Sequence, residues 1–316
     1  MTKFAFVFPG QGSQAIGMLN GFEGNPVVAQ TIAEANDALG FDLGKLIAEG
    51  PKEEMDLTTN TQPIMLTAAV AVYRAWIAAG GPPPALVAGH SVGEYSALVA
   101  AGVIAFKDAV PLVRFRAQAM QEAVPVGQGG MAVVLGLEAD AVRALCVEAA
   151  SADPAWVLEA VNFNEPTQIV IAGHTGAVER ACELAKGKGA KRAMKLAVSA
   201  PFHSSLLQPA SSRLRDYMAG IAFSAPAIDL INNVDVAILN DPAAIKDALV
   251  RQAAGPVRWV ETMHKVAASG VTHVIESAPS RVLIGMAKRI TPDLVGEALS
   301  DQGALERVLA SLLVSH

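Results

Sequence analysis

The strongest constraint on the fold comes from two short, wholly apolar runs, each ending in a glycine turn. FAFVF (4–8) runs into PGQGSQ, and ALVA (85–88) runs into GHSVG. Four or five apolar residues without polar alternation read as strands buried on both faces. Such strands need helices on either side of their sheet. Helical spacing of apolar residues is found over 26–39 and 63–79, GGPPP (80–84) breaks the chain, and further helices are expected from Glu94 to Ala101 and over 107–124, stopping at Pro125. Strands alternating with helices predict an α/β fold with a mostly parallel sheet covered on both faces.

The middle of the chain has a different rhythm. Residues 130–137 read as a strand, 139–150 as a helix, 157–163 and 167–172 as strands joined by a turn at Asn164-Glu165-Pro166, 175–187 as a helix and 192–198 as a strand. That order is βαββαβ, the ferredoxin-like motif. The reading is therefore a core of residues 1–126 and 199–316 with an inserted ferredoxin-like subdomain at 127–198. Beyond it, a helix at 205–219, a strand at 228–234, helices at 242–253 and 256–269, a strand at 272–277 and a final pair of helices continue the α/β pattern.

Composition narrows the classes of function. With 316 residues, 52% hydrophobic and 17% charged, the chain can build a sizeable core. A net charge of −6 speaks against broad nucleic-acid binding, which needs a dense basic surface. The most apolar stretch, 64–79, is interrupted by Arg74 and falls short of the ~20 residues a membrane span needs. The N-terminal run of five apolar residues is too short for a signal h-region, so the cytoplasm is the expected location. Cys146 and Cys182 each lie on an apolar helical stripe and read as core filler, with no metal-ligand spacing and no disulfide framework.

Gly89-His90-Ser91-Val92-Gly93 is a G-x-S-x-G sequence placed between a buried strand and a helix. In that setting the serine sits on a sharp turn, the glycines admit close backbone approach, and the helix N-terminus favours developing negative charge. Ser91 is thus a candidate nucleophile. A packed, supporting side chain is the expectation for its neighbour His90.

PGQGSQ (9–14), NTQP (60–63), GHSVGEY (89–95), MQEAVP (120–125), VNFN (161–164) and NNVD (232–235) occur together in this order. Taken together they resemble the malonyl-CoA:acyl carrier protein transacylase family of fatty acid synthesis, over about residues 4–290. The resemblance implies an α/β-hydrolase-like core with an inserted ferredoxin-like subdomain, in agreement with the element order. It implies ping-pong transfer of malonyl from coenzyme A to the phosphopantetheine thiol of acyl carrier protein, with no cofactor and no metal. It assigns Ser91 as nucleophile and His203 as general base. The backbone carbonyl of Gln252 would orient the imidazole, and the backbone N–H groups of Gln11 and Val92 would form the oxyanion hole. Arg116 would hold the malonyl carboxylate, with Arg114 as its rival two residues away on another side of the helix. Gln62, Asn162, Asn164 and Phe202 would line the pocket, the Phe202 ring filling the space that an α-methyl group needs.

A hydrolase would place an acid between serine and histidine in chain order. Asp108, Asp140 and Asp153 fall in that interval, and none has an evident loop at a sheet end. A neutral orienter should leave the imidazole less basic, so that a thiol outcompetes water for the acyl-serine. The same chemistry serving a polyketide assembly line, a serine esterase or thioesterase, and a non-catalytic carrier-binding subunit are the competing readings. The chain departs from the family at SAPSRVL (277–283), where a glycine-rich segment is usual, which puts any close backbone approach there in doubt. KGKGAKRAMK (186–195), with five basic residues and no acidic one, and Lys288-Arg289 are candidate steering sites for the acidic partners. A monomer is expected.

Overall fold

The computed structural model describes residues 2–198 and 200–314. β1 (Phe4–Phe8) is buried at every position, as its uninterrupted apolar run requires. A 3-10 turn (Asn20–Phe22), α1 (Pro26–Leu39), two short helices α2 (Leu43–Glu49) and α3 (Lys52–Met55), and the long α4 (Thr58–Ala78) follow. β2 (Leu86–Gly89) leads into α5 (Gly93–Ala100) and α6 (Phe106–Glu122). Next come β3 (Gly129–Leu135), α7 (Ala139–Ala150), β4 (Leu158–Glu165), β5 (Gln168–His174), α8 (Thr175–Gly187) and β6 (Arg192–Lys195). The chain continues through a 3-10 turn (Ser205–Leu207), α9 (Gln208–Ala219), β7 (Asp229–Ile231), α10 (Pro242–Ala253), α11 (Trp259–Ala268), β8 (His273–Glu276), α12 (Val282–Ile290), β9 (Val295–Ala298) and α13 (Gln302–Val314).

The core sheet runs β7-β2-β1-β8-β9, with every pairing parallel. Because side chains alternate across a strand, β1 feeds two cores. Phe4, Phe6 and Phe8 enter the cluster built with α4, where Phe6 meets Tyr73 and Trp76 edge-on at 5.5 Å each. Ala5 and Val7 join Trp259, Met263 and Leu283 on the opposite face. Burying each of the large side chains contributes about 1.5–3 kcal/mol.

The second sheet is antiparallel, in the order β4-β5-β3-β6, which is the ferredoxin-like arrangement of a βαββαβ unit. One face packs on α7 and α8, with Cys146 buried and Cys182 partly buried in that cluster. Burial pushes the Cys146 thiol up to about 12. From the other face, Met131, Val161 and Val170 pack with Met120 and Phe202 of the core. β4 is also fastened to the core through backbone: the Phe163 N–H donates to Val257 O (3.0 Å) and the Val257 N–H to Val161 O (2.8 Å).

The local differences from the sequence reading have physical causes. Asn164 and Glu165 belong to β4, and the turn is at 166–167, because a bulge lets β4 stay paired with β5 as far as Glu165–Gln168. α4 starts at Thr58, ahead of Pro63, whose missing N–H removes a single bond in the early turns. α2 and α3 are too short to show a period. β9 lies inside what reads as the final helix pair; it pairs with β8 over only four residues. β6 ends at Lys195, and residues 196–198 line a cavity instead. β7 has only three residues, since Asn232 turns the chain back so that its N–H reaches Ala237 O. α11 begins at Trp259, three residues later than expected. Ser199, the expected return point to the core, lies outside the described residues. Among the described residues, no helix is long and apolar enough to cross a membrane.

Candidate active site

The site is built at the carboxyl ends of β1 and β2, where parallel sheets commonly present ligand crevices. Its geometry depends on glycines. A Cβ on Gly89 would lie 2.0 Å from the Gly93 carbonyl, and one on Gly93 would lie 2.0 Å from Phe8 O. A Cβ on Gly10 would lie 2.6 Å from His90 O. These contacts press the elbow between β2 and α5 against the loop after β1. They force Ser91 to φ 54°, a left-handed conformation that costs a non-glycine residue of order 1–3 kcal/mol. The N–H groups of Gln11 and Val92 have no hydrogen-bond acceptor among the described residues.

Ser91 Oγ lies 2.7 Å from His203 Nε2, and His203 Nδ1 lies 2.9 Å from Gln252 O. A carbonyl only accepts, so Nδ1 carries the ring proton and Nε2 is left to accept from the serine hydroxyl. Asp108, Asp140 and Asp153 do not face this ring: Asp108 lies in the first turn of α6, Asp140 pairs with Arg143, and Asp153 accepts from the Ala155 N–H. His203 is itself at φ 66° and is buried. Burial and the Arg116 charge drive its pKa down to about 3, against the opposing pull of the Gln252 hydrogen bond.

Arg116 is 1% exposed and, among the described residues, has no carboxylate within ion-pair distance. Its Nη1 donates to Gln62 Oε1 (2.7 Å), and its Nη2 donates to Gln252 Oε1 (2.8 Å) and to Ser91 Oγ (3.3 Å). Its guanidinium lies 5.4 Å from the Tyr95 ring centre. Nε has no acceptor, so the side chain enters the site with donors to spare. Gln62 Nε2 donates onward to Thr58 Oγ1, which donates to Gln11 Oε1 (2.7 Å), tying the arginine to the loop after β1. Arg114 points elsewhere, onto the Phe41 ring at 4.6 Å.

A cavity of about 120 Å³ opens over these groups and is lined by Gln11, Gln62, Ser91, Arg116, Asn162 and Phe202, among others. The Asn162 Oδ1 is buried there without a partner. Asn164 reaches the site indirectly: its Oδ1 accepts from His90 Nε2 at 2.7 Å, and the His90 ring packs edge-on against Trp259. Burial holds His90 below its usual pKa. An adjoining hollow of about 450 Å³ shares Gln11, Leu196, Val198 and Phe202 with the cavity. Among the described residues, the charged side chains lining this hollow are Glu53 and Asp56. Within 186–195, Lys188 pairs with Glu148 and Lys195 with Glu179, while Arg289 pairs with Glu165.

SAPSRVL does not line the cavity. There Glu276 Oε2 accepts from the Ile284 N–H (3.0 Å) and Ser280 Oγ accepts from the Val282 N–H (3.3 Å), so side chains cap α12 where glycines would have bared backbone.

Three residues with no assigned role in the sequence reading prove central. Asn233 Oδ1 accepts from the Ser91 N–H (2.8 Å), and its Nδ2 donates to Gly89 O (2.6 Å), bridging the elbow. Glu94 is buried and accepts at Oε2 from the Asn233 N–H (3.1 Å) and Gln252 Nε2 (2.9 Å). Burial pushes its pKa up to about 7, with Gln252, Asn233 and Arg116 pulling the other way. Tyr95 stacks beneath Arg116, and burial raises its pKa to about 12. All three stand inside the motifs GHSVGEY and NNVD, but spacing along the chain does not reveal that they meet.

The acyl transferase domain family matches residues 5–311. A malonyl CoA-acyl carrier protein transacylase of Salmonella typhimurium is 52% identical over 310 residues, covering 98% of this chain and 99% of that protein. The crystal structure of an acyl-carrier-protein S-malonyltransferase from Burkholderia pseudomallei 1710b superposes with a TM-score of 0.95 at 65% identity, covering 98% and 99% of the two chains. A malonyl-transacylase solved in complex with a type II polyketide synthase acyl-carrier protein gives a TM-score of 0.95 at 48% identity, covering 98% and 100%. With near-complete coverage at these identities, and an elbow, imidazole and buried arginine meeting at one cavity, the chain belongs to the malonyl-CoA:acyl carrier protein transacylase family.

Proposed function

We propose that malonyl transfer from coenzyme A to acyl carrier protein proceeds through an ester on Ser91. The chain is an acyltransferase of fatty acid synthesis. Ser91 Oγ attacks the thioester carbonyl as His203 Nε2 takes its proton, and the Gln11 and Val92 N–H groups receive the oxyanion. Collapse breaks the C–S bond, and His203 returns the proton to the departing coenzyme A thiolate. The phosphopantetheine thiol then gives its proton to His203 and attacks malonyl-Ser91, and Ser91 leaves with the proton restored. Arg116 holds the free malonyl carboxylate throughout, with Gln62, Asn162, Asn164 and Phe202 shaping the pocket.

One observation supports this reading above the others: an arginine buried without a counter-ion among the described residues stands 3.3 Å from Ser91 Oγ, while the imidazole leans on a carbonyl and not a carboxylate. An acyl group lacking a carboxylate would leave Arg116 unpaired. A less basic imidazole activates water poorly, whereas a thiol is already a good nucleophile. We take the protein to act as a cytoplasmic monomer that needs neither cofactor nor metal.

The test is to isolate the acyl-enzyme and follow its discharge. Holo acyl carrier protein should clear malonyl from the enzyme much faster than water does. Equal rates would favour an esterase. The 48% identical relative solved with a polyketide carrier favours a second reading, the same transfer serving a polyketide synthase. Comparing discharge by fatty acid and polyketide carrier proteins separates the two.

A further inference from the structure

The mechanism leaves unused a buried acid close to the nucleophile. Glu94, 2% exposed, sits three residues beyond the nucleophile on α5, and it touches neither the cavity nor the imidazole. Its Oε2 joins two elements from elsewhere in the chain. One is Asn233, beyond β7, whose backbone N–H donates to it at 3.1 Å. The other is Gln252, at the end of α10, whose Nε2 donates at 2.9 Å. Both partners grip Ser91. Asn233 Oδ1 accepts from the Ser91 N–H, and Gln252 Nε2 donates to Ser91 O at 2.9 Å. The strained serine is thus clamped on both sides of its backbone, and both clamps are anchored to one carboxyl oxygen.

Gln252 extends the chain further. With its Nε2 directed at Glu94 and Ser91 O, its Oε1 must face Arg116, while its backbone carbonyl holds His203. We propose that Glu94 is a positioning residue that acts through Asn233 and Gln252 to hold Ser91 in its left-handed conformation, with His203 and Arg116 aimed at it. Because both partners are N–H donors, Oε2 accepts from them whether or not the other oxygen carries a proton. The acceptor, and not the charge, is the feature the site requires. A strained conformer persists only where its surroundings over-determine it, and without Glu94 both clamps lose their shared anchor.

The proposal rests on Ser91 being the nucleophile, so the malonyl adduct is first mapped to Ser91 in the unaltered protein. Failure there would remove the reading of the mechanism itself. The test then compares Glu94→Met and Glu94→Gln, each shown to be folded. Two rates are measured: single-turnover acylation by malonyl-CoA, and Ser91 labelling by the neutral reagent phenylmethanesulfonyl fluoride. Glu94→Met keeps the volume and loses the acceptor. It should slow both rates about 10- to 100-fold, the cost of a misplaced reacting group. Glu94→Gln keeps the acceptor and should recover most of that loss. If folded Glu94→Met reacts at the unaltered rate in both assays, or Glu94→Gln is as impaired as Glu94→Met, the proposal is overturned. If Glu94→Met does not fold, Gln252→Met takes its place, keeping the carbonyl on His203 and removing the side-chain link. Slowed acylation and labelling support the chain of contacts, and unchanged rates overturn it.

Discussion

Arg116 Nη2 lies 3.3 Å from Ser91 Oγ. With Ser91 as the proposed nucleophile, a cation this close to it can be matched only by an acyl group whose own negative charge lies within a short reach of the reacting carbon. Malonyl meets that condition, and acetyl offers nothing to the guanidinium. On the proposed mechanism, selectivity rests on one buried charge placed beside the attacking atom.

Replacing Arg116 with Ala should therefore remove the preference and not the chemistry. Hydrogen bonds to a charged group are worth about 1.5–3 kcal/mol each, so kcat/KM for malonyl-CoA should fall by at least about 10- to 100-fold. The value for acetyl-CoA should hold or rise. Steady-state kinetics with both thioesters checks this, and a parallel loss for the two would contradict it.

Phe202 lines the cavity directly before His203. Phe202→Ser should open room for an α-methyl group and lower the discrimination against methylmalonyl-CoA by roughly tenfold or more, within the ~1–3 kcal/mol available for one methyl. The ratio of kcat/KM values for the two thioesters is the measurement.

Gly93 cannot carry a side chain where it stands, because a Cβ would sit 2.0 Å from Phe8 O. The obstacle is backbone and cannot swing away. Gly93→Ala should cost about 1–3 kcal/mol or more, lowering the melting temperature. It should also slow Ser91 acylation per folded molecule, since the elbow must shift away from β1.

The depressed pKa of His203, about 3 in the folded protein, sets a pH dependence of definite sign. The unfolded chain titrates this ring near 6.5. Between these values the unfolded state binds the extra proton, so this group's contribution to stability is fully present above about 6.5 and is lost as pH falls through 3. His203→Gln should therefore lose less stability than the unaltered protein on going from pH 6.5 to 4.5, as read by urea midpoints. In the same range the imidazole stays neutral, so Ser91 acylation should show no inflection near 6.5.

The sequence carried the architecture because its signals were local. An unbroken apolar run such as FAFVF can only be a covered strand, and the βαββαβ order of 130–198 needs no tertiary knowledge. The elbow that carries Ser91 was legible for the same reason, since strand, glycine turn and helix are contiguous around it. His203, Gln252 and Arg116 came from the resemblance; no spacing links residues so far apart. Asn233 and Glu94 stayed silent because the hydrogen bonds they make join elements far apart in the chain. β9 escaped because four residues paired with one neighbour leave too little pattern to read. The basic run at 186–195 looked freer than it is, because Glu148 and Glu179 approach it from other parts of the subdomain.

The most direct test of the central claim is the intact mass of the protein after brief exposure to malonyl-CoA, with the modified peptide mapped. A single malonyl adduct on Ser91 is expected, absent from folded Ser91→Ala and removed by holo acyl carrier protein. An adduct that survives Ser91→Ala, or transfer to the carrier at an undiminished rate in that variant, would contradict it.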